Sequence, residues 1–168
     1  KDFDIRVDYD QIEPVIRIYF VNHARSRDRY RNEKMDAAFA QVLDREKPDI
    51  VHIGHLNHLS TGIPEIASNK GIPVVFTFHD FWLACPRGQF IQMCLGEEEL
   101  WRLCPGQDNK RCAVHCMSRI WGGVPANEEE DVKQWTQWIK QRMEEIQRQI
   151  NFIDLFIAPS RHIMKRMI

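Results

Sequence analysis

Three short runs constrain this chain most: Ile50-Val51-His52-Ile53, Pro73-Val74-Val75-Phe76-Thr77-Phe78 and Asp154-Leu155-Phe156-Ile157-Ala158. Each reads as a strand, and the run Pro73 to Phe78 is nearly continuous in apolar character, which suits a parallel strand covered on both faces. Val15-Ile16-Arg17-Ile18-Tyr19-Phe20-Val21 reads as a further strand ahead of them. Helical patterns fill the intervals. Met35, Ala38, Phe39, Val42 and Leu43 follow helical spacing, and Lys47-Pro48 stops that helix. Ser60 or Thr61 is placed to cap a helix that carries Ile63, Ile66 and Ala67 and ends at Gly71. Asn127 is placed to cap a long helix, with Glu130 completing a capping box. Its stripe of Val132, Trp135, Ile139, Met143, Ile146 and Ile150 is of the core-facing kind. Pro159-Ser160 opens a last helix.

Strand alternating with helix predicts an α/β fold, a doubly wound parallel sheet with right-handed crossovers, as a single domain over residues 1–168. In such sheets ligands bind beyond the carboxyl ends of the strands. That rule singles out the stretches His52 to His58, Thr77 to Trp82 and Ala158 to Arg161.

A chain of 168 residues with 43% apolar and 28% charged residues can bury its own core, so no disulfide framework is needed. Lys and Arg number 23 against 24 Asp and Glu, and a net charge of −1 leaves no electrostatic footprint for nucleic acid. No apolar run approaches the roughly 18–20 residues of a membrane span, and no secretory leader opens the chain, so a soluble cytoplasmic protein is expected.

Regularity stops between Trp82 and Ala126, an insertion that holds every cysteine together with Pro86, Pro105, Pro125 and Gly122-Gly123. An irregular stretch of such length inside a compact domain serves a function or needs an internal tie. Five clustered cysteines, Cys85, Cys94, Cys104, Cys112 and Cys116, suggest a shared metal in a reducing compartment. Four thiolates around zinc make a closed structural site. An iron–sulfur cluster draws on the same ligand type. Five candidates for four places leave one thiol spare.

His79 and Asp80 directly follow the most apolar run and are expected to project into the ligand crevice. A histidine there either donates to a substrate hydroxyl or is tied to a loop carbonyl. Arg87 lies close to the same crevice, where it could pair with an anionic substrate group or remain solvated. His52, His55 and His58 recur at every third residue, a spacing that converges three imidazoles neither on a strand nor on a helix. They read as polar residues at a strand end. No Gly-rich phosphate loop occurs, which argues against a nucleotide or redox cofactor held by this chain alone.

The runs Lys47-Pro48-Asp49-Ile50-Val51-His52 and Gly71-Ile72-Pro73-Val74-Val75-Phe76-Thr77-Phe78-His79-Asp80-Phe81-Trp82-Leu83-Ala84-Cys85-Pro86-Arg87 together resemble the N-terminal domain of family 4 glycosyltransferases. Asp154 to Ser160, ending Ile-Ala-Pro-Ser, resembles that family's late strand and turn, and the cysteine-bearing insertion resembles one branch of it. The resemblance implies one Rossmann-like half of a GT-B architecture and retaining transfer from a nucleotide-sugar donor. It implies a saccharide or lipid-linked acceptor, in polysaccharide or glycoconjugate biosynthesis. The family's Gly-rich opening loop and its C-terminal domain, which carries most donor contacts, are not in this sequence. The chain is therefore expected to be an acceptor-side fragment, inactive alone, from a protein that associates peripherally with membranes.

By the same resemblance His79 and Asp80 are the expected catalytic residues. Arg87, His52 and Ser160 are expected to bind substrate. Cys85, Cys104, Cys112 and Cys116 match the branch's cysteine positions, with Cys94 as the spare or alternative ligand. Two rival readings share the fold: a zinc-stabilised interaction domain that presents Trp101 and Trp121, and another Rossmann-type nucleotide-sugar enzyme.

Overall fold

A computed structural model describes residues 2–13, 15–23, 30–93, 101–117 and 129–167. The expected Asn127 cap, Cys94 and Trp121 lie outside the described residues. A parallel sheet runs in the order β3-β4-β7, formed by Val51–Ile53, Val74–Thr77 and Leu155–Ile157. Val51, His52 and Ile53 pair in parallel with Val74, Val75 and Phe76. On the other side of β4, Asp154 N donates to Val74 O at 2.9 Å and Phe78 N donates to Ile157 O at 2.9 Å. The α/β class with a parallel sheet is the predicted one. The chain divides into two compact units, Lys1–Phe76 with Asn151–Leu155, and Thr77–Ile150 with Phe156–Ile168.

In the first unit the expected leading strand departs from its predicted place. β2, Arg17–Val21, pairs antiparallel with β1, Ile5–Tyr9, in a sheet of its own. The reason is local. Asp10 accepts from Ile12 N and Glu13 N at 2.9 and 2.7 Å, and Asp10 N donates to Ile16 O at 3.0 Å. A turn so closed brings the two strands together at a far lower entropic cost than a crossover connection.

Helix α1, Glu33–Glu46, starts where Asn32 accepts from Lys34 N and Met35 N, and stops at Lys47 in the left-handed region. Met35, Ala38 and Leu43 are buried on its apolar face. Val51, Ile53, Val74 and Phe76 are buried from the strands, and Ile63 and Ala67 from α2, Ile63–Asn69. The start of α2 differs from expectation. Gly62 is its N-cap, and Ser60 Oγ accepts instead from Asn32 N at 3.0 Å and Gly62 N at 3.2 Å. A serine two residues early thus ties the starts of both helices.

The second unit contains the region that looked irregular, and part of it is regular after all. β5, Ile91–Met93, and β6, Trp101–Leu103, form an antiparallel pair. Asp108 caps the short α3, Asn109–Cys112, which runs into a π-helical turn over Ala113–Met117. The long helix α4 spans Glu129–Gln149, and α5 spans Arg161–Met167. The α4 stripe is core-facing as predicted. Ile139 is buried with Cys112, Ala113 and Met117, and Val132, Trp135, Trp138 and Met143 pack against them. Among the described residues no helix is long and apolar enough to cross a membrane.

Gly62 is held by space rather than by backbone strain. A Cβ there would stand 2.5 Å from Asp36 Oδ2 and 2.7 Å from Arg31 Cζ, inside the Arg31–Asp36 ion pair. Arg31 also bonds Glu65 of α2 at 3.0 Å, so the pair cannot retreat without loosening α1 from α2. Gly62→Ala is expected to destabilise the first unit by about 1–3 kcal/mol, as overpacking does. Urea unfolding checks it.

Candidate active site

The turn after β4 is built by short-range bonds. Phe78, the last residue tied to β7, is buried and stacks on Phe156 at 5.2 Å. The next residue, His79, is exposed. Asp80 Oδ1 accepts from Trp82 N at 2.8 Å, turning the chain immediately. Phe81 O then accepts from Ala84 N and Cys85 N at 2.9 and 2.7 Å. Gly88 N returns to Cys85 O at 2.8 Å, and Phe81 N to Gly88 O at 3.0 Å. The segment from Asp80 to Gly88 is thereby a closed loop. His79 stands between this loop and the rigid end of β4.

Because Phe78 bonds Ile157, the carboxyl ends of β4 and β7 lie side by side, and the turns bearing His79 and Ser160 leave from neighbouring strands. Ser160 Oγ accepts from Ile163 N at 3.2 Å, so its hydroxyl caps α5. An apolar cavity of about 510 Å³ opens beside these strand ends. It is lined by Phe78, from the stretch singled out in the sequence, and by Leu83, Met143, Ile146, Phe156 and Met164, which sequence reasoning did not link to a site. No residue pattern could have marked it, since its wall is assembled from five separate segments.

The remaining candidates are elsewhere. His52, in the first unit, is exposed within β3 opposite Val75. His55 Nδ1 accepts from Asn57 N at 2.8 Å, a local turn contact. Arg87 donates to Ile91 O at 3.1 Å and Gln89 Oε1 at 3.2 Å, and its guanidinium lies 5.3 Å from the Trp101 ring centroid.

The four predicted thiols do come together. Cys85, Cys104, Cys112 and Cys116 are free, buried to 6–7% exposure, and all line one cavity of about 10 Å³ with Arg87 on its wall. Burial pushes the Cys112 thiol up, and the Cys85 and Cys104 sulfurs add to the shift. Burial pushes Cys116 up to about 11, with Cys112 adding and Arg87 opposing. Among the described residues no group of three or more His, Cys, Asp or Glu is already arranged to hold a metal ion.

A parallel sheet flanked by helices is consistent with the N-terminal Rossmann-like half of a GT-B glycosyltransferase. The family model "Glycosyltransferase Family 4" matches residues 3–168, and the chain belongs to glycosyltransferase family 4. No curated protein and no solved structure matches it.

Gly88 secures the loop that follows His79. Its φ is +76°, and a Cβ would stand 2.8 Å from Asp80 Oδ2. Gly88→Ala is expected to cost about 1–3 kcal/mol through backbone strain and to push the Asp80 carboxylate aside. Asp80→Asn keeps the Oδ1 acceptor and should cost less. Comparing the two by chemical denaturation tests the assignment.

Proposed function

We propose that this chain is the acceptor-side domain of a retaining glycosyltransferase. The enzyme moves a hexosyl group from a nucleotide sugar to a saccharide or lipid-linked saccharide, in polysaccharide or glycoconjugate assembly. The observation that carries this reading is His79, exposed and placed directly after the middle strand in a chain of glycosyltransferase family 4. Donors of this kind are made in the cytoplasm, where the reading puts the enzyme.

In retaining transfer, positive charge develops at the anomeric carbon as the bond to the departing diphosphate lengthens. A hydrogen bond to the sugar that strengthens in that state lowers the barrier selectively. His79 is suited to make it, because sheet hydrogen bonds fix one side of it and the closed loop fixes the other. Asp80 is a positioning residue in this reading. Its Oδ1 is committed to Trp82 N, and Gly88 lies against its other oxygen. Ser160, which caps α5, orients the neighbouring turn. Arg87 keeps its contacts to Ile91, Gln89 and Trp101 and serves the thiol cavity.

His79→Ala, in the enzyme joined to its nucleotide-sugar-binding domain, should lower kcat by about 10²–10³-fold. Melting temperature should stay unchanged, since the side chain is exposed. His52→Ala should cost less than about tenfold. Turnover above about a third of wild type for His79→Ala, at saturating donor and acceptor, would overturn the assignment.

The donor is held chiefly by the other domain. Calorimetric titration of this chain alone with uridine and guanosine diphosphate sugars should therefore find a Kd near millimolar, about −4 kcal/mol. Micromolar binding would place the donor site here.

A further inference from the structure

We infer that Cys85, Cys104, Cys112 and Cys116 bind a single zinc ion as four thiolates, forming a closed tetrahedral site that ties the insertion between β4 and α4 together. The inference stands independently of the transfer reaction. Four places in the local fold supply the sulfurs. Cys85 lies in the loop after β4 and Cys104 directly after β6, while Cys112 ends α3 and Cys116 lies in the π-helical turn. Each is buried, none is in a disulfide, and all four line the same cavity. Cys112 and Cys116 are four residues apart on one helical stretch, which brings their side chains to the same face.

The size of the cavity and its donors point to the ligand. About 10 Å³ is the space of one water-sized sphere, the room that a single ion takes. Four soft sulfur donors select against magnesium and calcium, and four thiolates are a ligand set that zinc takes in structural sites. The surroundings fit as well. Four thiolates around a divalent ion carry two net negative charges, and the Arg87 guanidinium on the cavity wall opposes them. Gln92 Nε2 points at Cys104 Sγ from 3.7 Å, the kind of outer donor that steadies a metal-bound sulfur.

The four sulfurs line one cavity but are not at coordination distances among the described residues. Cys104 Sγ donates to Gly106 O at 3.0 Å. Binding replaces four S–H bonds by four Zn–S bonds of about 2.3 Å and releases four protons to solvent. The gain is structural, because the described part of the insertion has little core of its own. Leu103 is 86% exposed, Cys85, Phe90 and Cys104 form one small buried group with Phe81 and Ala84 against it, and Cys112, Ala113 and Met117 form another that is completed by Ile139 of α4.

The test is elemental analysis of the chain purified under reducing conditions without added metal, followed by titration with zinc and with cobalt. About one equivalent of zinc is expected, and cobalt should give the charge-transfer and visible bands of a tetrahedral thiolate site. Cys112→Ser and Cys116→Ser should each abolish stoichiometric zinc, while Cys94→Ser should keep it. Should the serine variants fail to fold, the wild-type zinc content and cobalt spectrum still decide. Protein that carries no zinc and takes up neither ion would overturn the inference. So would iron with inorganic sulfide, or zinc that survives loss of Cys112.

Discussion

Strand β4 is the element on which the sheet depends. It occupies the middle of β3-β4-β7, and its hydrogen bonds to β7 are made at both ends. At the start, Val74 N donates to Asp154 Oδ2 at 2.7 Å, and Asp154 N returns to Val74 O at 2.9 Å. A carboxylate thus takes the place of the carbonyl where β7 begins. At the end, Phe78 is tied to Ile157, so the backbone is fixed up to the residue before His79. A strand with partners on both sides is the most rigid mount available to a side chain at its tip.

The second unit solves a different problem, because most of it has no large sheet to pack on. A buried charge takes part in the solution. Arg142 is 1% exposed on the core-facing side of α4. Its Nη2 donates to Trp82 O at 2.6 Å, and its guanidinium lies 4.3 Å from the Trp82 ring centroid. Burying a guanidinium is costly unless its donors and its charge are met, and here a carbonyl and a ring face share that task. The contact fastens α4 to the loop that begins at Asp80. Arg166, exposed on α5, donates to Cys104 O at 3.0 Å and fastens that helix to the turn after β6.

Much of this was legible in the residues. The apolar runs at 50–53, 73–78 and 154–158 became the parallel sheet, but Leu155, Phe156 and Ile157 of β7 are exposed, where a doubly wound sheet has its strands covered on both faces. The α4 stripe was readable at helical period. Strand β1 escaped despite its alternation in Ile5-Arg6-Val7-Asp8-Tyr9, since a solvent-facing hairpin looks like a polar leader until its partner is known. The β5–β6 pair escaped because three-residue strands are shorter than any period that can be counted. The clustering of the cysteines was visible in the sequence.

By itself the sequence determined the class of fold, the strand that leads to His79, and the set of thiols available to a metal. These follow from local composition and order, which no later packing can revise. Tertiary structure decided the rest: which sulfurs share a cavity, that Asp80 Oδ1 accepts from Trp82 N, and that Ser60 ties two helix starts. It also decided that β2 turns back on β1. Each of these turns on a distance of a few ångströms between residues far apart in the chain or on the closing of one turn, and neither is encoded in any single window of sequence.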